Sequence, residues 1–462
     1  MATLFLSTAA MSRALQSTAA SRVARMRFYL LTSLGFLGYL HGACAIFVVI
    51  LSLVSFAVAQ LAAGCKHGAA SIWACNLGLL LAARLGNGFR FARVAGVLAP
   101  LDAHRGVVRW EICFNLSVLR MLSYSLDLHW RRLHLASGVH CRQVGQSPSA
   151  PRAGVARWRQ QAALPGDADY GLLPCLAYVL YVPLYLAGPI ITFQDFAWQL
   201  RRGVPASVRA IVRYAARFAA DWACLELLTH CLYFNSIAKH QIGMRFRSFG
   251  LRYGALEMAM SAFWVLCFMW LKFAVIWRFF RLAALLDGVD PPENMRRCFA
   301  NNYDLEGFWR GWHSSYNQWL VRYMYVPLGG STRRVWIIWP IFFFVALWHD
   351  LEWRLMSWAW LVCLAFLPEM AAKQWARSQR FDAWRHTMAF RHACAAAAAV
   401  NIAALMAANL AGYVIGLDGL KELLVGMLVN SRFVVATLAT FWSAANLMLL
   451  LREREARQTH AE

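Results

Sequence analysis

Apolar runs long enough to cross a bilayer recur along the chain, separated by short polar segments that carry arginine. A crossing helix needs about 20 predominantly apolar residues. The stretch from Phe28 to about Ala63 exceeds that. It predicts either one span preceded by a tilted or interfacial helix, or two short spans. Residues 72–100 form a weaker run, broken by Arg84, Gly86, Gly88 and Arg90, and predict a re-entrant or interfacial segment. Residues 110–130 are apolar but carry Glu111, Arg120 and Asp127, charges that hydrocarbon admits only where they face protein or a wet cavity. Further runs lie at 171–193, 207–235 and 255–281, then at 320–328, 335–348, 355–368, 392–417 and 422–451. The pattern predicts an all-α polytopic membrane protein with about ten or more transmembrane and re-entrant helices.

The membrane core is expected over 28–451, between a basic N-terminal tail (1–27) and a polar, solvated C-terminal tail (452–462). The tail 1–27 has no acidic residue and is rich in Ser, Ala and Arg. That composition also occurs in transit peptides, but the apolar stretch that follows at once favours a disordered cytosolic tail. From Cys141 to Asp169, Gly, Pro, Ser, Gln and Arg mark the clearest extramembrane loop.

Composition supports lipid as the solvent. The 462 residues are 60% hydrophobic and only 15% charged, against about 25% charged in soluble domains. The net charge of +23 does not indicate a nucleic-acid partner. The basic residues sit between apolar runs, as at 129–134, 142–159 and 201–203, where the positive-inside rule and anionic headgroups place them. No basic helix interleaved with base-stacking aromatics occurs. The twelve cysteines are scattered without a CxxC pair. Cys224, Cys267 and Cys363 lie inside apolar runs, where cysteine behaves as a small hydrophobe, so neither a disulfide framework nor a metal site is expected.

Candidate chemistry concentrates in 291–353, which joins a Pro-Pro entry, a polar aromatic segment, a Gly-Gly turn and an apolar run ending at His349. Val335–Trp348 would extend roughly 21 Å as a helix, short of a hydrocarbon core near 30 Å. Another run starts at Met356, so His349, Asp350, Glu352 and Arg354 form a polar node that needs a protein-lined or wet cavity. A histidine there suits general-base work, because burial favours the neutral imidazole that accepts a proton. If the helix continues, Glu352 shares a face with His349 and orients its ring. If the chain turns, Asp350 takes that part. Spacing alone equally allows a histidine that caps the helix at the interface. Glu226 and His230, four apart in an apolar run, allow a buried proton relay, although a structural interhelical bond is the plainer reading. Arg120 and Asp127 are read as a structural pair.

The segments NNYDLEGFWRGWHSSYNQWLVRYMYVPLGG (301–330) and VALWHD (345–350) resemble the signature region of the membrane-bound O-acyltransferase superfamily. The similarity is greatest to its glycerol uptake protein branch, related to hedgehog acyltransferase. Supporting matches at 119–130, 181–196 and 268–295 extend it over about 105–370. The resemblance implies that His349 takes the place of the family's membrane-embedded catalytic histidine and His313 that of its second signature residue. Most members carry Asn there, hedgehog acyltransferase carries Asp, and the glycerol uptake branch carries His. This leaves open whether His313 acts chemically or in donor binding. Gln318 stands where close relatives are expected to carry Arg.

The implied reaction is attack of an acceptor hydroxyl on long-chain acyl-CoA, a co-substrate rather than a bound cofactor, within a tunnel for donor and acceptor. Trp312, Asn317 and Arg322 are candidate donor contacts, with Arg322 available to a CoA phosphate. Trp312, Trp319 and Tyr323 equally suit packing or interfacial anchoring, and Arg322 and Arg334 suit a positive-inside flank. The implied partners are membrane lipids and acyl-CoA, and the implied acceptor is a lysophospholipid in GPI-anchor remodelling. A protein acceptor, including a GPI-anchored protein, is the alternative within the same chemistry. The resemblance also implies the endoplasmic reticulum membrane. A solute transporter is the contrasting class. No internal repeat supports it, and both histidines argue against an inactive scaffold.

Overall fold

The computed structural model describes residues 22–136, 167–202, 207–233 and 254–461, and every regular element among them is helical. Most of the predicted N-terminal tail and of the 141–169 loop lies outside the described residues. The chain divides into two compact units, Met1–Arg217 with Ile276–Glu293, and Phe218–Val275 with Asn294–Glu462.

The first unit contains α1 (Arg22–His41), α2 (Ala45–Ala62), α3 (Gly68–Leu85), α4 (Trp110–Ala136), α5 (Leu172–Val179) and α6 (Phe193–Arg202). Helices α7 (Val208–Leu232) and α8 (Ala255–Leu286) contribute residues to both units. The second unit holds α9 (Leu305–Gly311), α10 (Ser314–Leu320), α11 (Arg334–His349), α12 (Trp353–Ala376), α13 (Met388–Tyr413), α14 (Gly416–Leu428) and α15 (Ser431–Ala461).

Among the described residues, seven segments are long and apolar enough to cross a membrane. They are Arg22–Ala62, Gly68–Leu85, Ala255–Leu286, Gly330–His349, Leu355–Ala376, Met388–Tyr413 and Ser431–Gln458. The run beginning at Phe28 is two helices joined by a tight turn at Gly42–Cys44. Gly42 has φ +57, and a Cβ there would lie 2.2 Å from the His104 carbonyl oxygen, so only glycine fits. Of residues 72–100, read as one re-entrant or interfacial segment, 72–85 belong to the full helix α3, and the chain breaks up only beyond Leu85. Helix α7, read as a span, is 25 residues long but falls outside the seven, because Arg209, Arg213, Arg217, Asp221 and Glu226 interrupt its apolar character. The predicted solvated tail continues α15 as helix, and Glu455 on it binds Arg297 through both carboxylate oxygens at 3.0 and 2.8 Å.

Helix α4 shows how the first unit accommodates intramembrane charge. It packs against α2, α3, α5 and α6, and Glu111, Arg120 and Asp127 are all buried in protein. Pro183 has no N–H to offer the carbonyl four residues earlier, and α5 ends at that residue, Val179. Arg120 donates to this freed carbonyl at 3.0 Å and also to the carbonyl of Leu184. The charge therefore replaces the one backbone hydrogen bond that the proline removes.

In the second unit α11 packs on α12, α12 on α13, and α13 on α15. Glu369 of α12 is buried and fixes the start of α9. Its carboxylate accepts the backbone N–H groups of Leu305 at 2.7 Å and Glu306 at 3.3 Å, Lys373 at 2.7 Å and Asn401 at 3.1 Å. An anion at a helix N-terminus satisfies orphan donors and suits the helix dipole.

Candidate functional site

His349 is the last residue of α11 and is half-buried. The helix stops there because Asp350 adopts an extended backbone (φ −170, ψ 161) and its carboxylate accepts the N–H of Leu351 at 2.8 Å. A local side-chain bond of this kind competes with the helical ladder. Glu352 then precedes α12 as its N-cap residue. Of the two readings of this node, the one in which the chain turns at Asp350 holds, and the condition for Glu352 to share a helical face with His349 is not met. Two aromatic rings adjoin His349: Trp348, with centroids 4.8 Å apart, and Tyr413 of α13, at 6.2 Å.

His313 sits in the turn between α9 and α10 in the left-handed region, at φ +43 and ψ +46. A non-glycine residue pays strain for this conformation and keeps it only where its surroundings over-determine it. Asn294, itself fully buried, supplies that constraint. Its carbonyl accepts the N–H of Ser314 and its Oδ1 the N–H of Ser315, each at 3.0 Å. Two orphan donors at the start of α10 are thereby satisfied from another segment of chain. Downstream, Trp319 is fully buried and stacks on Phe344 of α11 (centroids 5.8 Å, interplanar angle 17°), fixing α10 against the helix that carries His349.

The two histidines meet on Trp348. The His313 ring lies 6.3 Å from it, and Tyr316 packs against both, 5.1 Å from His313 and 4.6 Å from Trp348. Burial first, and the proximity of His349 second, push the His313 pKa down to about 3. His313 is thus a neutral imidazole at physiological pH. The ring group continues through Tyr413 to Trp358 of α12 at 5.1 Å, and from there to Trp309 of α9 at 5.6 Å. Residues distant in the chain are thus brought to one aromatic-walled centre holding two histidines.

The sequence model of the membrane-bound O-acyltransferase family matches residues 62–415, a stretch that contains every residue of this centre. The chain belongs to the membrane-bound O-acyltransferase family. It is 37% identical over 453 residues to membrane-bound O-acyltransferase GUP1 of Saccharomyces cerevisiae, a match covering 95% of this chain and 77% of the yeast protein. It is 33% identical over 431 residues to membrane-bound O-acyltransferase gup1 of Schizosaccharomyces pombe, covering 92% and 72% respectively. Protein-cysteine N-palmitoyltransferase HHAT of Mus musculus is more distant, at 25% over 342 residues, covering 72% and 60%. The protein is therefore a multi-pass membrane acyltransferase, and the resemblance read from its signature segments holds.

The remaining candidates of this acyltransferase take different places. Trp312 stacks on Phe308 (5.6 Å, 20°) and meets Phe273 edge-on at 5.9 Å, so its ring is part of the packing around α9. Asn317 is half-buried one turn into α10, and its backbone N–H donates to the His313 carbonyl at 3.0 Å. Arg322 lies on the widened turn Val321–Tyr325, half-buried, with its guanidinium 5.4 Å from the Tyr323 ring. Arg334 pairs with Glu306 at 3.0 Å. Glu226 and His230 are not buried. Their side chains are 56% and 77% exposed, and His230 Nδ1 donates to the Glu226 carbonyl at 2.7 Å. A buried relay at that pair is thereby excluded. Sequence reasoning did not single out Asn294, Tyr316, Trp358 or Tyr413 as site residues. Tyr316 stood inside a signature segment and Asn294 inside the supporting match at 268–295, whereas Tyr413 and Trp358 reach the centre only through helix packing.

Proposed function

We propose that this acyltransferase moves a long-chain acyl group from acyl-CoA to a hydroxyl of a lipid acceptor, with His349 as general base. The observation that carries the reading is the meeting of His349 and His313 on Trp348, in a buried aromatic setting at the end of an apolar helix. His349 removes the acceptor hydroxyl proton as its oxygen attacks the thioester carbon. The tetrahedral intermediate collapses, the carbon–sulfur bond breaks, and the leaving thiolate takes the proton from His349. Being neutral, His313 serves as a hydrogen-bonding group for the donor rather than as a second acid. Arg322 suits a CoA phosphate, as a planar fork of donors.

The names of the yeast relatives favour oxygen as the acceptor atom. The finer acceptor, a lysophospholipid of GPI-anchor remodelling in the endoplasmic reticulum, rests on the resemblance to their branch. The mouse relative's name, a protein-cysteine N-palmitoyltransferase, motivates the protein-acceptor alternative. The test is transfer of labelled palmitoyl-CoA in membranes holding wild type, His349→Ala or His313→Asn at matched expression, with lipid and protein products separated. Label in lipid with wild type and none with His349→Ala is expected. Label in protein instead would move the acceptor to the alternative. Full activity of His349→Ala would overturn the mechanism.

A further inference from the structure

Tyr316 is 3% exposed, and its hydroxyl, fully buried, finds no hydrogen-bond partner among the described residues. Buried hydroxyls are nearly always partnered, because an unmade bond leaves the desolvation cost uncompensated. This one belongs to a ring that packs against both His313 and Trp348, and Trp348 touches His349. The nearby indole nitrogens of Trp358 and Trp309 are likewise buried without an acceptor among the described residues. Indole N–H only donates. These three unspent groups in one ring cluster are therefore all able to donate, and what would satisfy them is an oxygen acceptor.

We propose that the Tyr316 hydroxyl donates to the acyl carbonyl oxygen and holds the oxyanion of the tetrahedral intermediate. The assignment rests on the acyl-transfer reading above and adds a catalytic residue to it. As the acceptor oxygen bonds to the thioester carbon, the carbonyl π pair moves onto its oxygen, and the Tyr316 O–H strengthens its bond to that developing charge. The pair returns when the carbon–sulfur bond breaks, and Tyr316 keeps its proton throughout. Burial, and then the neighbouring Tyr413, raise the Tyr316 pKa well above that of an ordinary phenol, which keeps it a donor at every assay pH. A donor already in place needs no reorganisation when charge develops.

The experiment compares Tyr316→Phe, His349→Ala and wild type in membranes, reading initial rates of label transfer against palmitoyl-CoA concentration. The melting temperature of each detergent-solubilised protein is read alongside. Phenylalanine keeps the ring and its packing and removes only the oxygen. The expected result is a maximal rate about 10²–10³-fold lower. The apparent KM for palmitoyl-CoA should stay within about threefold, since a transition-state interaction is the one removed. The melting temperature should be unchanged or higher, because the lost hydroxyl served no internal bond. A maximal rate within about twofold of wild type, an effect confined to KM, or a lowered melting temperature would overturn the assignment to Tyr316. Wild type without transfer, or a fully active His349→Ala, would instead overturn the acyl-transfer reading, and this assignment with it.

Discussion

Replacing Glu369 by glutamine should loosen the segment that delivers His313. One carboxylate oxygen of Glu369 accepts Leu305 N–H and Asn401, and the other accepts Lys373 and Glu306 N–H. An amide retains a single acceptor oxygen. In its better orientation that oxygen stays with Leu305 and Asn401, and the NH₂ group then faces an ammonium and an N–H. The charge-assisted bond to Lys373 is worth about 1.5–3 kcal/mol, and the longer bond from Glu306 adds about 0.5–1 kcal/mol. Lys373 keeps Asp304 at 2.6 Å and Glu306 at 3.3 Å, which limits the damage. The expected cost is about 2–4 kcal/mol, rising to about 3–5 kcal/mol for Glu369→Ala, where the buried network loses its centre. Because α9 carries Trp309 and runs directly into the His313 turn, the transfer rate should fall together with the melting temperature. Thermal unfolding of the solubilised protein, with a double-mutant cycle against Lys373→Met, measures the coupling. If Glu369→Gln melts with wild type and the cycle gives no coupling, the network is not what anchors α9.

Asn294→Ala removes the acceptor for Ser315 N–H and frees a left-handed turn that stores about 1–3 kcal/mol of strain. Transfer should drop by more than tenfold with only a small change in melting temperature, and equal losses in both would argue for a purely structural part. His313, held near pKa 3 in the fold, takes up a proton in the unfolded chain at about 6.5 but not in the native one. The stability this difference supports is complete above pH about 6.5 and is lost as pH falls, by about 1.4 kcal/mol per unit. Melting curves between pH about 7.5 and 5.5 should therefore decline less steeply for His313→Asn than for wild type. In α13, a Cβ on Gly412 would lie 2.6–2.9 Å from Trp358 ring and Cβ atoms. Gly412→Ala should cost about 1–3 kcal/mol by overpacking and slow transfer by displacing Trp358 from Tyr413. His230→Ala, at an exposed site, should transfer label at the wild-type rate, and a large loss there would revive a relay through that helix.

Much of the fold was legible because lipid imposes length and apolarity on a spanning helix. Errors arose where charge and apolarity conflict. Helix α3 ends at Arg84 and Leu85, just before the glycines, so a run read as broken contains an intact helix. Helix α7 reads as a span until five charges along it are weighed. At the candidate site, His313 and His349 stood out because both lie in the signature segments. Between Glu352 and Asp350 the sequence left the choice open, because a helical extrapolation cannot foresee that Asp350 will bond its neighbour's N–H and end the helix. Asn294 reads as an ordinary residue after two prolines, and its value lies in a contact with a turn about 20 residues on. Glu369 terminates a predicted apolar run, where an acidic residue looked like a boundary. It is instead a buried helix cap.

The two histidines differ in a way that bears on their division of labour. His313 is walled by aromatic rings, and its imidazole is held neutral over the whole working range. A lowered proton affinity makes His313 the weaker of the two as a base. A neutral imidazole carries one N–H donor and one lone pair, here at a turn that Asn294 holds through the backbone of Ser314 and Ser315. A side-chain amide offers the same kinds of group without titrating. His313→Asn should accordingly retain a substantial part of the wild-type rate and leave the pH dependence of transfer unchanged. His349 closes a helix, is half-buried, and adjoins Trp348 and Tyr413. On the acyl-transfer reading proposed above, it is the one that carries the proton. A His313→Asn protein whose pH–rate profile loses its acid limb would reverse the two roles.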